Sequence, residues 1–197
     1  MPEDDVQLML AFKRGDYNAF SALVDRHQLA LTQYFFSFTG DRQKAEDLSQ
    51  EAWRKIFRSR AAYEPRAAFK TFLFRVARNL WIDSYRSKKS HPAEVALDRA
   101  VVGRGGEAST SLAQLLPGDE ETPLEALAKR EIKDLIEAAL ERLSKTHRDV
   151  FVLAEFQGLK YAEIGEILEI PVGTVKSRMF NAVRRLRELL EKDLEDF

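Results

Sequence analysis

Tyr161-Ala162-Glu163-Ile164-Gly165-Glu166-Ile167-Leu168, Glu169-Ile170-Pro171 and Val172-Gly173-Thr174-Val175-Lys176-Ser177-Arg178 follow one another late in the chain. The first run reads as a short helix and the second as a tight turn. The third opens a longer helix to Leu190, with Val172, Val175, Met179, Ala182, Val183, Leu186 and Leu190 as its apolar face. Two helices joined by so short a turn make a helix-turn-helix. Pro171 suits the first turn of the second helix, where a missing N–H costs nothing, and Gly165 lets the two helices approach. Glu169 stands in the turn where glycine is common. A left-handed backbone there would cost it about 1–2 kcal/mol, so another turn geometry is expected. Lys160 replaces the usual capping Ser or Thr of the first helix, which forgoes roughly 1 kcal/mol. The opposite face of the longer helix carries Thr174, Lys176, Ser177, Arg178, Asn181, Arg184, Arg185 and Arg187, and Val172–Arg187 holds five basic residues and no acidic one. Cations for phosphates beside groups that read base edges mark a helix suited to a major groove.

Upstream, the apolar residues again recur at helical spacing. Phe20, Leu23, Val24, His27, Leu31, Tyr34, Phe35 and Phe38 stripe a long helix that Gly40 can cap. Leu48, Ala52, Trp53, Ile56 and Phe57 stripe a second, and Phe72, Leu73, Val76, Ala77, Leu80 and Trp81 a third. Pro65 disfavours helix at Glu64, so Ala61–Ala68 is a loop between two helices, placed to receive a ligand. Leu135, Ile136, Ala139, Leu140 and Leu143, then Val150, Phe151, Leu153 and Ala154, stripe two further helices before Gln157-Gly158-Leu159 breaks the pattern. The expected fold is all-α, an N-terminal helical bundle and a C-terminal helix-turn-helix domain joined by a flexible linker.

Charge marks the same boundaries. The 197 residues carry a net charge of −1, but residues 1–90 hold 16 basic and 11 acidic residues, 91–125 hold 2 and 7, and 126–197 hold 13 and 14. The middle segment, with Pro92, Gly103, Gly105, Gly106, Pro117, Gly118 and Pro123, has the composition of a linker. Trp53–Lys89 holds 11 basic residues against 2 acidic ones, so the first domain has a basic face too. Phe69, Tyr63 and Tyr85 lie off the stripes or at loop edges and are candidates for stacking on unpaired bases.

Other chemistry finds little material. Cysteine is absent, and His27, His91 and His147 have no companions at ligand spacing, so no metal site and no cofactor are expected. His27 lies on an apolar stripe and reads as a core residue. No nucleophile set or phosphate-cradling glycine loop accompanies the acidic pairs, so no catalytic residues are expected. The opening Met-Pro-Glu-Asp-Asp lacks a secretory pattern, and no run is long and apolar enough for a membrane span. A cytoplasmic protein without membrane insertion is expected.

Four stretches resemble the extracytoplasmic-function sigma factors, small bacterial transcription initiation subunits related to the primary sigma family. Ala45-Glu46-Asp47-Leu48-Ser49-Gln50-Glu51-Ala52-Trp53 resembles the segment that grips the clamp of the polymerase largest subunit. Phe69-Lys70-Thr71-Phe72-Leu73-Phe74-Arg75-Val76-Ala77-Arg78-Asn79-Leu80, continuing to Asp83 and Arg86, resembles the stretch that opens and reads the minus-ten element. Leu140-Glu141-Arg142-Leu143 with Arg148-Asp149-Val150-Phe151 resembles the opening of the second conserved domain. Tyr161–Arg178 resembles the helix-turn-helix that docks at the minus-thirty-five element. The order and spacing of the four span nearly the whole chain.

The resemblance implies that Asp47, Gln50, Glu51 and Trp53 bind core RNA polymerase, with clamp and flap as partner surfaces. It implies that Tyr63, Phe69, Lys70, Arg75, Arg78, Asn79, Arg86, Lys88 and Lys89 bind minus-ten DNA. Thr174, Lys176, Ser177, Arg178, Asn181, Arg184 and Arg185 then bind minus-thirty-five DNA. It further implies that the 61–68 loop captures a flipped base, that the acidic linker threads toward the RNA exit path, and that an anti-sigma factor controls the protein. Phe72 and Phe74 depart from the Tyr and Trp often found there. Two rivals remain open at this point: a stand-alone helix-turn-helix regulator and a sigma mimic that sequesters an anti-sigma factor. The Asp47-Gln50-Glu51 cluster argues against the first and the retained cations against the second.

Overall fold

The computed structural model describes residues 4–90 and 135–195, and every regular element among them is helical. The segment 91–125, read above as a linker, lies outside the described residues. Helix α1 is Asp5–Lys13, α2 Tyr17–Thr39, α3 Arg42–Ser59 and α4 Phe69–Ser90, with a 3-10 turn at Arg60–Ala62. Then come α5 at 135–141, α6 Lys145–Phe151 running into a π turn Val152–Phe156, α7 Tyr161–Leu168 and α8 Val172–Glu195.

Local chemistry sets the ends. The carboxylates of Asp16 and Asp41 accept backbone N–H bonds at the starts of α2 and α3, satisfying donors that no helical carbonyl can reach. Gly40 closes α2 in the left-handed conformation at φ 61°, as its place after the Phe20–Phe38 stripe anticipates. The three stripes interdigitate into a bundle whose largest buried side chains include Phe12, Leu23, Leu31, Tyr34, Phe35, Ile56, Phe69 and Phe74. Helix α1 was not singled out in the sequence; it buries Leu8, Met9 and Phe12. Asp5 ties it to α2 by accepting from Arg26 and by a 2.7 Å contact with the His27 ring, so His27 works as a structural pin.

The helix-turn-helix forms as read, with one correction. Glu169 does adopt the left-handed conformation, φ 56° and ψ 45°, and is the lone non-glycine with positive φ among the described residues. Its N–H and that of Ile170 both bond to the Gly165 carbonyl, so closing the last turn of α7 outweighs the Cβ strain. Glu163 accepts from the Lys160 N–H at 2.8 Å, which supplies one half of a capping box although Lys160 has no acceptor for the other. A Cβ on Gly165 would sit 3.0 Å from the Ile170 carbonyl oxygen. Substitutions at the two ends of this turn therefore act in opposite directions. Gly165→Ala is expected to destabilise the chain by about 1–2 kcal/mol through the backbone clash. Glu169→Gly is expected to stabilise it by about 0.5–1 kcal/mol, strain relief less the entropy of the freer unfolded chain. Thermal unfolding of the two variants checks both signs.

The first and second halves share one apolar core. Leu73, Phe74 and Ala77 of α4 belong to the same buried cluster as Leu153, Ile164, Ile167 and Val175, and α4 packs directly on α7. A smaller cluster, Ala139, Leu140, Leu143, Ala182, Leu186 and Leu189, holds α5 against α8.

Candidate nucleic-acid interface

On α8 the buried side is Val175, Met179, Ala182, Leu186 and Leu189. The solvent side therefore centres on Ser177, Phe180 and Arg184, with Lys176 on one flank and Thr174, Arg178, Asn181 and Arg185 on the other. Val172 and Val183, read as core, are 41% and 42% exposed; they fall where the apolar stripe of a 3.6-residue period meets the polar face. Phe180, 68% exposed, was not singled out in the sequence. Its signal was there: it falls three residues after Ser177 and four before Arg184, off the core stripe. Arg184 and Arg185 share Glu188, at 3.9 and 2.9 Å. Arg178 is half-buried and acts on the Asp149 carboxylate, so in this arrangement it faces the protein.

The basic face of α4 is also divided. Lys70 donates to the Gln157 carbonyl, Thr71 lies 3.4 Å from Glu163, and Arg75 pairs with Glu166 at 3.7 Å. Arg78 is among the cations acting on Asp149. Lys70, Arg75 and Arg78 thus turn toward the second half of the chain. Burial pushes the Lys70 ammonium below its usual value, against the pull of Glu163 and Asp5. Asn79 stays exposed and, with Lys55, Arg58, Ser59 and Val76, lines an open groove of about 480 Å3 between α3 and α4. Lys55 and Arg58 are cations the sequence placed in a basic segment without singling out. Arg86, Lys88 and Lys89 lie on the last turns of α4, and their side chains are outside the description.

Tyr63 and Phe69 need correcting as stacking platforms. They are 4% and 1% exposed, because the loop folds back on the bundle: Lys13 Nζ donates to the Tyr63 carbonyl at 2.8 Å and the Tyr63 ring packs edge-on to Phe72 at 5.1 Å. The loop still makes a recess, an open cavity of about 310 Å3 walled by Ala62, Tyr63, Glu64, Arg66 and Phe72, at the lower end of the range for ligand pockets. The Tyr63 hydroxyl beside it is buried without a hydrogen-bond partner, and burial, then Asp4, push its pKa up.

On α3, Gln43, Asp47, Gln50 and Arg54 form an exposed stripe, with Glu51 beside it. Gln43 donates to Asp47 at 3.2 Å, and Glu51 pairs with Arg54 at 3.1 Å. Trp53 does not join this surface. It is 6% exposed and its indole N–H donates to Gln28 at 2.6 Å, so it locks α3 onto α2. Among the described residues no group of His, Cys, Asp and Glu is placed to hold a metal ion, and no helix is long and apolar enough to cross a membrane.

Comparison with known proteins agrees with this geometry. The family model for Sigma-70 region 2 matches residues 23–91, and that for Sigma-70, region 4 matches residues 133–186. The chain is 36% identical over 184 residues to the ECF RNA polymerase sigma factor SigW of Bacillus subtilis, covering 93% of each chain. It is 32% identical over 195 residues to the RNA polymerase sigma-H factor of Pseudomonas aeruginosa, covering 98% of this chain and 95% of that one. Two solved structures share the fold. CnrH in complex with the cytosolic domain of CnrY has a TM-score of 0.67 and 24% identity, over 96% of this chain and 98% of that one. The sigma factor RpoE in complex with the anti-sigma factor NepR from Bartonella quintana has a TM-score of 0.65 and 25% identity, over 87% and 96%. The chain belongs to the extracytoplasmic-function RNA polymerase sigma factors. It is a promoter-recognising transcription factor that works with RNA polymerase.

Proposed function

We propose that residues 1–90 form the module that binds core polymerase and the minus-ten element, that 126–197 form the module that reads the minus-thirty-five element, and that 91–125 connect them. The observation that carries the upstream role is the open outer face of α8. Ser177, Asn181 and Arg184 offer hydrogen bonds to base edges, Phe180 offers an apolar surface for a thymine methyl, and Lys176 offers charge to phosphate. The exposed Asp47 carboxylate and Gln50, with the half-buried Glu51 beside them, are the polymerase contact. The recess at Tyr63 and the groove at Lys55, Arg58 and Asn79 receive the melted strand, whose extrusion costs a few kcal/mol per base. The protein catalyses nothing itself, acts in the cytoplasm beside polymerase and needs no cofactor. By its likeness to the Bartonella RpoE, whose structure is a complex with an anti-sigma factor, the chain is itself held by such a partner.

Run-off transcription with purified core enzyme on a genomic library tests the reading, with start sites mapped afterwards. Start sites preceded by a shared upstream and downstream element pair are expected, and no directed initiation would refute it. On a promoter so found, Arg184→Ala is expected to weaken upstream-duplex binding by about 1–2 kcal/mol. Lys176→Ala is expected to lower the salt slope by about 1 without changing sequence preference. Fluorescence anisotropy across a salt series reads both.

A further inference from the structure

The recess beside Tyr63 has one wall on α4 and the other on the loop, so its width depends on where the loop is held. Phe72 is the α4 wall, and Ala62, Tyr63, Glu64 and Arg66 form the rest. Among the described residues, the backbone N–H bonds of 63–66 stay within the loop: Tyr63 donates to the Arg60 carbonyl and Arg66 to the Glu64 carbonyl. The Arg66 guanidinium likewise turns back on the Glu64 carboxylate. A stretch wired to itself in this way can shift as a body, so its place must be set from outside.

Helix α1 sets it. Phe12 is fully buried, and the Arg60 guanidinium lies over its ring at 5.6 Å and over Phe57 at 4.9 Å. The next residue, Lys13, donates through Nζ to the Tyr63 carbonyl at 2.8 Å, a link between positions 50 residues apart. Two consecutive residues of α1 thus hold both ends of the Arg60–Tyr63 turn. The Tyr63 ring packs on Phe72 at 5.1 Å, but that contact lacks direction, and the Tyr63 hydroxyl has no hydrogen-bond partner. The charged bond to the carbonyl is therefore the directional tether of this residue. We propose that Lys13 is a positioning residue for promoter opening: through the Tyr63 carbonyl it holds the loop at the distance from α4 at which one unstacked base of the melted strand fits. Lys13 itself reads no base. The inference rests on the role proposed above for the recess and names the residue that keeps it shaped, since a binding site works only when the side chains around it are held close to their productive geometry.

The test uses the full chain assembled with core polymerase. The probe is a promoter that this enzyme transcribes, with its non-template strand left single across the minus-ten element and an abasic site placed at one position after another. With the wild type, one position is expected to lose about tenfold in affinity when its base is removed, as the loss of a stacked base requires. Lys13→Met keeps the aliphatic stem and deletes the donor. Lys13 is exposed, so polymerase binding, upstream-duplex binding and thermal stability are expected to stay at wild-type levels. In Lys13→Met the intact probe is expected to bind more weakly and the abasic penalty to shrink to about twofold or less, because protein and base changes acting on one contact do not add. Lys13→Arg, which can still donate to the carbonyl, is expected to restore the penalty. A full abasic penalty in Lys13→Met would overturn the proposal, whether affinity is unchanged or falls equally for every probe; the latter result would make Lys13 a phosphate contact instead. A wild type with no abasic-sensitive position would strike the recess reading itself, and the inference with it.

Discussion

Asp47→Lys combined with Glu51→Lys is expected to lower affinity for core polymerase by a factor on the order of 100 or more while leaving upstream-duplex binding unchanged. Both carboxylates lie on the outer surface of α3, where Asp47 is engaged by the Gln43 amide and Glu51 by Arg54. Within the chain the substitutions forfeit little. An exposed pair at helical spacing is worth about 0.3–0.5 kcal/mol, so folding and thermal stability are expected to survive. Across an interface whose charge complements these carboxylates the effect is of another size, because reversal sets like charges against one another and costs several kcal/mol. Pull-down of core enzyme and fluorescence titration measure the loss, and circular dichroism confirms the fold. Undiminished polymerase binding would remove Asp47 and Glu51 from the contact. Trp53→Ala is a useful contrast, since it should fail by unfolding the α2–α3 packing.

The second large effect concerns acidity. Burial raises the Asp149 carboxyl from its ordinary value to about 6, against the opposing pull of Arg78, Lys145, Arg178 and Arg148. The folded chain therefore holds this proton more tightly than the unfolded chain does. The resulting stabilisation is full below the unfolded value near 3.8 and is lost as pH rises through about 6. At about 1.4 kcal/mol per unit, the contribution is on the order of 2–3 kcal/mol. Asp149→Asn mimics the protonated state and is expected to keep that stability at neutral pH. Calorimetric Tm values from pH 5 to 7.5 should therefore fall more steeply for wild type than for the variant. Every other titratable group is common to both proteins, so the difference isolates Asp149. Parallel slopes would show that the carboxylate is already satisfied by its four cations.

The helical elements were readable in the sequence wherever an apolar stripe ran at helical spacing: Phe20–Phe38, Leu48–Phe57, Phe72–Trp81 and the pair around Glu169. Gly165 and the Gly40 cap were readable too, because each answers a local backbone requirement. Helix α1 escaped notice because Val6, Leu8, Met9, Leu10 and Phe12 line no single narrow face. The π turn at Val152–Phe156 escaped because the Gln157 N–H reaches back five residues, to Val152, through packing that no spacing rule reports. The left-handed Glu169 was misjudged because local strain was weighed without the hydrogen bonds that closing α7 provides.

By itself the sequence determined which residues share a helix face, since period and charge are properties of neighbours along the chain. That suffices for the all-α fold, for the outer face of α8 and for the Asp47 surface. Only the tertiary structure decided what each face meets. It turned Trp53, Tyr63 and Phe69 inward, and it set Lys70, Arg75 and Arg78 toward Glu163, Glu166 and Asp149, with Arg75 and Glu166 still partly in solvent. The physical reason is that a helical stripe states how much apolar surface must be covered, whereas the covering partner comes from residues tens of positions away along the chain, and a cation is drawn equally to a phosphate or to a carboxylate of its own chain.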